Sequence, residues 1–308
     1  MKKLWVFYIA CCCSLGCATD TAQQTTSINC NFSEKKNRQA LTATFKSYWF
    51  DGTAEINTYA LEQPRYGTLR QGKAVLIYVT EDFLPAPQVK ANVKSEASRT
   101  VLKNNRTKTF LTGIYPYTIM SSSFSYLGWE PRLAKVSTSI QEWCGQSYLQ
   151  LNRKKEIELI SHSYFEGEAD QMIHFPSHLK TEDELWNLIR IHPQELPSGS
   201  FELLPSLEWL RLHHKPLEAV PVTANLEFDT QLPMASYQVR FPSLGRTLLI
   251  QFQSQPPYRV ESWEDQSDRG ESYSTKARRL QTEKLPYWQL NKKGDEQYRI
   301  SLELNTTL

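Results

Sequence analysis

Residues 237–252 carry the sequence YQVRFPSLGRTLLIQF, and their pattern indicates the fold class. Apolar residues alternate with polar ones in two runs: Tyr237, Val239 and Phe241, then Leu248, Ile250 and Phe252. Alternation with a period of two residues is typical of a strand with one buried face. The residues between the runs, 242–245, have the composition of a turn. This stretch therefore predicts a β-hairpin.

The same alternation recurs along most of the chain. It predicts a hairpin at Asp51-Gly52 between residues 44–50 and 53–61, because Asp-Gly favours a type I′ turn. It also predicts a C-terminal hairpin between residues 285–290 and 298–304. Further strands are predicted at residues 74–79, 109–122, 133–143, 147–152, 157–165 and 258–264. So many strands exceed what a flat open sheet tolerates, and we expect the sheet to curl or split.

Two helices interrupt the strands about two-thirds of the way along the chain. Thr181 and Glu184 have the spacing of a capping box, and an apolar stripe follows and ends before Pro193. A shorter helix is predicted over residues 206–213. The sequence therefore predicts a mainly β fold, a large curved antiparallel sheet or half-barrel with one or two short helices on its concave side. Two packed β domains that meet near residue 180 are the alternative.

The composition excludes several classes of protein. The 308 residues are 40% hydrophobic and 22% charged, which is unlike a disordered, fibrous or multi-span membrane chain. Loss of Lys2 and Lys3 with a signal peptide would leave 33 basic residues, equal in number to the 33 acidic ones. No basic field then remains for a nucleic acid, so we predict no nucleic-acid partner.

The N-terminus has the features of a lipoprotein signal peptide. A basic start is followed by an apolar run that is too short to span a hydrocarbon core of about 30 Å. Gly16-Cys17 resembles the lipobox of bacterial lipoproteins, in which the thiol is acylated before cleavage just ahead of it. We therefore predict a signal peptide over residues 1–16, lipidation of Cys17, a flexible tether over residues 17–36 and a β-rich globular domain over residues 37–308.

The residues after Cys17 bear on location. An acyl anchor makes the membrane a predicted partner. Ala18 lacks the acidic side chain that resemblance to enterobacterial lipoproteins would link to retention in the inner membrane, and no acidic run suggests surface export. We predict an outer-membrane lipoprotein that faces the periplasm, with surface exposure as an open alternative.

Cys144 lies in the unusual stretch QEWCGQ, residues 141–146. As a nucleophile it would need a lowered thiol pKa and a nearby histidine, and no histidine lies in a recognisable cysteine-hydrolase setting. A disulfide with Cys30 would close a long loop and stabilise the fold by about 4–5 kcal/mol. The third interpretation is a buried, inert thiol packed beside Trp143.

An aromatic stretch offers the best candidate for ligand binding. Tyr115, Tyr117, Tyr126 and Trp129 lie close together in sequence and would suit a groove for an apolar ligand or a glycan. Core packing is the alternative, because aromatic residues on sheets are often buried.

Motifs for metals and cofactors are missing from the sequence. His174 and His178 have the spacing of zinc ligands on a helix, but Pro176 between them excludes that helix. The chain also has no Walker loop, Rossmann glycine fingerprint, serine elbow or HExxH motif. We therefore predict no metal and no cofactor, and the sequence leans away from an enzyme.

Five tracts resemble those of an uncharacterised family of bacterial lipoproteins: residues 48–56 (YWFDGTAEI), 65–67 (RYG), 79–83 (VTEDF), 112–117 (TGIYPY) and 141–145 (QEWCG). Such proteins are sometimes labelled septum formation inhibitor Maf. The resemblance implies a lipoprotein and supplies no catalytic residues. Genuine Maf proteins resemble cytosolic nucleotide pyrophosphatases with an α/β fold, whereas this chain has an export signal and β alternation. We therefore do not transfer nucleotide hydrolysis.

These features together predict a lipid-anchored, non-enzymatic envelope protein that binds an apolar ligand, a glycan or another envelope protein. One alternative is a periplasmic hydrolase or transferase that uses Cys144, and another is a purely structural module. An accessible apolar cavity on the concave side would favour binding, and a filled interior would favour scaffolding.

Overall fold

The computed structural model describes residues 35–36, 41–130, 132–267 and 274–304. Strands account for 56% and helices for 15%, which confirms the prediction of a mainly β fold. The predicted signal peptide and most of the predicted tether, including Cys17 and Cys30, lie outside the described residues. Among the helices that the structure does describe, none has the length and apolar character needed to cross a membrane.

Strands follow one another along most of the described chain. They are β1 (Lys35–Lys36), β2 (Ala54–Arg65), β3 (Thr68–Leu84), β4 (Val89–Lys90), β5 (Arg99–Thr112), β6 (Tyr115–Tyr126), β7 (Trp129–Glu130), β8 (Leu133–Glu142), β9 (Gly145–Arg153), β10 (Glu156–Ser163), β11 (Gln171–Pro176), β12 (Lys180–Thr181), β13 (Gly199–Leu204), β14 (Val220–Glu227), β15 (Met234–Phe241), β16 (Arg246–Gln253), β17 (Val260–Ser267) and β18 (Thr275–Leu285). The hairpin predicted over residues 237–252 is the β15–β16 pair.

One large, open, curved sheet contains most of these strands. Its order is β11-β10-β9-β8-β6-β5-β3-β2-β18-β17-β16-β15-β14-β13-β12, with β4 paired to β3, while β1 pairs with β7 apart from it. The pairs are antiparallel except for the short parallel pair β12–β13. Pairing of β2 with β18 joins the two halves of the chain, and both halves share one hydrophobic core. The alternative prediction of two packed β domains is therefore wrong.

The helices are short: α1 (Ala43–Trp49), α2 (Glu182–Ile191), α3 (Leu207–Leu212) and α4 (Tyr298–Ser301). Single turns of 3-10 helix occupy residues Pro193–Glu195, Pro242–Leu244, Tyr287–Gln289 and Asp295–Gln297. The predictions of α2 and α3 are confirmed. At the start of α2, Glu184 Oε1 accepts a hydrogen bond from the backbone N–H of Thr181 at 3.1 Å, as a capping box requires.

Helix α2 fills the concave side of the sheet. Asn187 Nδ2 donates to the carbonyl of Leu102 on β5 and to Ser125 Oγ on β6, both at 3.0 Å. Pockets of about 220 and 250 Å³ remain near Ile191 at the C-terminal end of α2. Both are smaller than the ~300–1,000 Å³ typical of ligand pockets. The interior is therefore occupied by the protein itself.

Charged side chains attach α2 to the sheet in four ion pairs. The pairs are Glu182 with Arg246, Asp183 with Arg106, Glu184 with Arg153, and Arg190 with Glu55. Burial alone would raise the pKa of Glu182, but the charge of Arg246 outweighs it and lowers that pKa. Burial raises the pKa of Asp183 despite the charge of Arg106. The cost of desolvation is thus outweighed at Glu182 and only partly offset at Asp183.

Helix α3 packs over the region where the sheet ends. Leu207 and Leu210 share a second hydrophobic cluster with Leu149 and Leu159 of strands β9 and β10. The terminal strands β11 and β12 are not paired with each other. Side-chain packing therefore covers the inner face of this part of the sheet, whose edges remain open.

Four strand predictions are wrong. Residues 285–290 lie at and beyond the end of β18 and include a turn of 3-10 helix, and tertiary contacts explain two of the other three. Residues 44–50 form α1 because Thr42 caps the helix and Phe45 and Trp49 are buried on one side of it. Residues 298–304 include α4, and β2 and β18 already have strand neighbours on both sides, so neither offers an edge to a further hairpin. The strand predicted over residues 109–122 is split by a turn at Gly113, which has a φ of 67°.

Candidate functional site

The hairpins divide the turns between two opposite rims of the sheet. The distal rim carries the turns at residues 66–67, 113–114 and 143–144. The entry rim lies at the other end of the strands, where the chain enters β2 at Ala54 and where β1 pairs with β7. Strand β2 separates the rims by about 36 Å along its length, at ~3.3 Å per residue.

Large apolar side chains are exposed on the distal rim. Tyr66 is 56% exposed, Ile114 84% and Trp143 69%, each in a different hairpin turn, and Tyr164 is exposed in the next connection. Grouped exposed apolar side chains mark interaction surfaces, whereas single ones are ordinary. The distal rim is therefore the candidate functional surface.

Four aromatic residues, Tyr66, Tyr115, Tyr117 and Trp143, form with Arg65 a cluster that we call the aromatic platform. The ring centroids of Tyr115 and Trp143 lie 6.0 Å apart with 24° between their planes. Tyr115 lies 6.2 Å from Tyr117, and Tyr66 meets Tyr117 edge-on at 6.4 Å. Rings at these separations attract one another. The platform thus connects three hairpin turns that are distant in sequence.

Hydrogen bonds fix the orientation of the platform. Arg65 donates from Nε and Nη2 to Tyr117 Oη at 3.2 and 3.0 Å, and from Nη1 to the carbonyl of Leu212 at 2.7 Å. Tyr66 Oη lies 2.7 Å from Tyr117 Oη. Because the Tyr117 oxygen already accepts from Arg65, its own O–H is the donor to Tyr66. The Arg65 guanidinium also lies 4.7 Å from the centre of the Tyr66 ring.

The same network separates the pKa values of the tyrosines. Partial burial alone would raise the pKa of Tyr66, but hydrogen bonds from Tyr117 and Tyr115 and the charge of Arg65 lower it. The hydrogen bond to Tyr66 is the main cause that raises the pKa of Tyr115 to about 12. Burial, and then the bond to Tyr66, raises the pKa of Tyr117. Tyr66 therefore has the most acidic hydroxyl of the three, and this O–H is the best hydrogen-bond donor among them.

The backbone at Tyr66 is unusual for its residue type. Tyr66 has a φ of 55° and is followed by Gly67 with a φ of 71°. Turns with two such residues favour Asn, Asp or Gly, because a side chain beyond Cβ is disfavoured in the left-handed region. A large, exposed tyrosine in this position is therefore a candidate functional residue.

The predicted ligand residues fall into two separate groups. Tyr115 and Tyr117 lie in the platform, whereas Tyr126 ends β6 at the entry rim and Trp129 follows it there. Tyr126 is buried and packs against Phe83 at 6.0 Å. The ring of Trp129 is covered by the Arg99 guanidinium at 4.3 Å. The prediction of one shared groove is wrong, because the length of β6 keeps the two groups apart.

Cys144 is exposed in the β8–β9 turn, so the interpretation of a buried thiol is wrong. Its backbone N–H donates to Glu142 Oε2 at 2.7 Å, and its Sγ lies 4.0 Å from Tyr115 Oη. No histidine in the described part of the chain is hydrogen-bonded to this thiol. The predicted partner Cys30 lies outside the described residues.

The predicted histidine pair does not form a metal site. His174 lies on β11, where its Nδ1 is 3.0 Å from Glu156 Oε1, and His178 follows in the next turn. Across residues 41–130, 132–267 and 274–304, no group of three or more His, Cys, Asp or Glu side chains could hold a metal ion.

Sequence reasoning did not assign Arg65 and Tyr66 to the site. Their signal was the Tyr66-Gly67 dipeptide between two alternating runs, which marks a turn. The order of the strands in the sheet determines which other turns lie beside the Tyr66-Gly67 turn. That order cannot be read from the sequence.

The chain matches no protein-family model and no curated protein. Among solved structures, it is similar to a β-barrel-like protein of the domain of unknown function DUF1849 from Brucella abortus. The two are 7% identical, the match covers 75% of this chain and 97% of that chain, and the TM-score is 0.43.

Proposed function

We propose that the protein is a lipid-anchored, non-enzymatic binding module of the cell envelope, with the aromatic platform as its binding surface. In this proposal, removal of residues 1–16 leaves an acylated Cys17, and the globular domain faces the periplasm from the outer membrane. The basic start, the short apolar run and the Gly16-Cys17 pair support this location.

The observation that carries the binding function is the ordered, exposed platform. Trp143 and Tyr66 present most of their rings to solvent, yet ring contacts and the Arg65 hydrogen bonds hold the cluster in place. A surface that is already ordered loses little conformational entropy when it binds. Tyrosine, tryptophan and arginine are also the residues that contribute most to binding at interfaces.

Two further observations support binding rather than chemistry. Helix α2 fills the concave side, so the exposed rim is a better binding surface than the interior. Cys144 donates its hydrogen bonds to Glu142 and Tyr115, and neither is the histidine base that a cysteine nucleophile requires.

The location is tested by mass spectrometry of the protein from its native cell. We expect a mature N-terminus at an acylated Cys17, and we expect the Cys17→Ala protein to leave the membrane fraction. An intact Met1 without a fatty acid would contradict the proposal.

The binding surface is tested by photo-crosslinking in cells. A photoreactive residue at Ile114, on the distal rim, should capture a partner, whereas the same residue at Ile300, which is 66% exposed, should not. Trp143→Ala should abolish capture at Ile114. Equal capture at both positions would show that the platform is not the binding surface.

A further inference from the structure

The chemistry of the platform combines flat rings with hydroxyl and guanidinium groups. Trp143 and Tyr115 offer apolar ring surfaces, and Tyr66 offers a hydroxyl that donates hydrogen bonds readily. A sugar ring has a matching surface, since its C–H groups form an apolar face and its hydroxyls surround the edge. A small apolar ligand would instead need an enclosed cavity to lose its water, and Trp143 is open to solvent.

The arrangement of turns suits a linear polymer. Hairpins that are neighbours in the sheet place their turns two strand spacings apart, which is about 10 Å. The turns with Tyr66, Ile114, Trp143 and Tyr164 are successive in the strand order, so they form a row of roughly 29 Å. A chain of several sugars can contact such a row at more than one ring.

We infer that the aromatic platform binds a glycan chain. This inference rests on the proposed function and names its ligand. Each ring that covers a sugar face removes apolar surface from water, and the Tyr66 hydroxyl selects for the sugar hydroxyls at the edge.

The test uses the mature lipoprotein in detergent micelles and three probes from the same cells. The probes are insoluble peptidoglycan sacculi, delipidated envelope polysaccharide, and vesicles made from extracted lipids. We expect at least one glycan to bind, and Trp143→Ala to weaken it at least tenfold, as the loss of a central aromatic does at other interfaces. Tyr66→Phe removes only the hydroxyl and should weaken glycan binding about 2–10-fold.

Trp288→Ala is the matched control, because Trp288 is 43% exposed at the entry rim. It should bind glycan within about twofold of the unaltered protein, as a residue outside the interface does. Thermal unfolding shows whether each variant is folded. Binding of neither glycan, or binding that Trp143→Ala leaves intact, would overturn the inference, as would an effect of Trp143→Ala on vesicles alone.

Failure of the inference differs from failure of the proposed function. The probe at Ile114 could capture a protein in a way that depends on Trp143, while no glycan binds. That result would leave the platform as the binding surface and exclude the glycan. Loss of both results would overturn both proposals.

Discussion

Arg190 of α2 and Glu55 of β2 form an ion pair that is enclosed by the protein, with Nη1 2.8 Å from Oε1 and neither side chain exposed. The guanidinium lies between the rings of Trp49 and Tyr78, at 5.0 and 4.4 Å from their centres. Its Nε donates to the carbonyl of Pro257 at 2.9 Å. The pair therefore connects the C-terminal end of α2 to α1 and to two regions of the sheet.

Removal of the carboxylate should destabilise the protein strongly. Glu55→Gln leaves the buried Arg190 charge without a counter-charge, and we expect a loss of about 3–5 kcal/mol in the free energy of unfolding. Glu227→Gln alters an exposed carboxyl on β14 and should change it by less than about 0.5 kcal/mol. Denaturant unfolding measures the free energy of unfolding of both variants. If the two variants were equally stable, another group would have to compensate the Arg190 charge.

The same pair should make stability depend on acid. Burial would raise the pKa of Glu55, but the charge and hydrogen bonds of Arg190 lower it from 4.5 to about 2. Because the folded-state pKa is lower, the stabilisation is complete above pH 4.5 and is lost as the pH falls towards 2.

The difference in stability between the unaltered protein and Glu55→Gln should therefore shrink by about 3 kcal/mol between pH 5 and pH 2. Glutamine resembles the protonated carboxyl of Glu55. The free energy of unfolding of Glu55→Gln should therefore lack the stabilisation that the ionised carboxylate gives. A difference that stays constant over this range would contradict a lowered pKa of Glu55.

The sequence predicted the fold where local pattern and tertiary environment agree. The β15–β16 hairpin and α2 both formed as predicted, since alternation, turn residues and the Glu184 cap all act over a few residues. Prediction failed at residues 298–304, where alternation was present but no strand edge was available. Such availability depends on the order of the whole sheet.

The candidate site was predictable only in part for the same reason. Tyr115 and Tyr117 were chosen because aromatic residues cluster in that stretch, and both lie in the platform. Arg65 and Tyr66 come from a turn about fifty residues earlier and reach the site through the pairing of β3 with β5. Tyr126 was grouped with them by sequence distance, although the length of β6 separates them.

A glycine inside β3 is expected to be essential for strand packing. A Cβ at Gly72 would overlap the carbonyl oxygen of Thr109 and lie 2.8 Å from Phe110 Cβ. Backbone cannot move aside easily, so Gly72→Ala should cost about 1–3 kcal/mol. At Gly145 a Cβ would meet only the side chains of Tyr164 and Phe165, at 2.8 and 3.2 Å. Gly145→Ala should therefore cost less, and thermal unfolding of the two variants would show whether the order is correct.

The position of Cys144 bears on its predicted disulfide with Cys30. Lys35 pairs with Glu130 at the entry rim, and β8 then runs from Leu133 to Glu142 before the chain reaches Cys144. The nine steps of β8 span about 30 Å. The five residues from Cys30 to Lys35 extend at most about 18 Å. A disulfide needs Cα atoms about 5.5–6 Å apart, so we expect Cys30 and Cys144 to be unpaired while β1 pairs with β7.

We therefore expect Cys144 to be an accessible thiol. It should react with a maleimide in the folded protein without added reductant, and Cys144→Ala should change the free energy of unfolding by less than about 0.5 kcal/mol, because an exposed side chain is lost. A disulfide would give the opposite results: no labelling before reduction, and a loss of several kcal/mol in the variant. In cells, Cys144→Ala also distinguishes a structural role of the thiol from a catalytic one. Loss of a phenotype while the abundance of the protein is unchanged would indicate a reactive thiol.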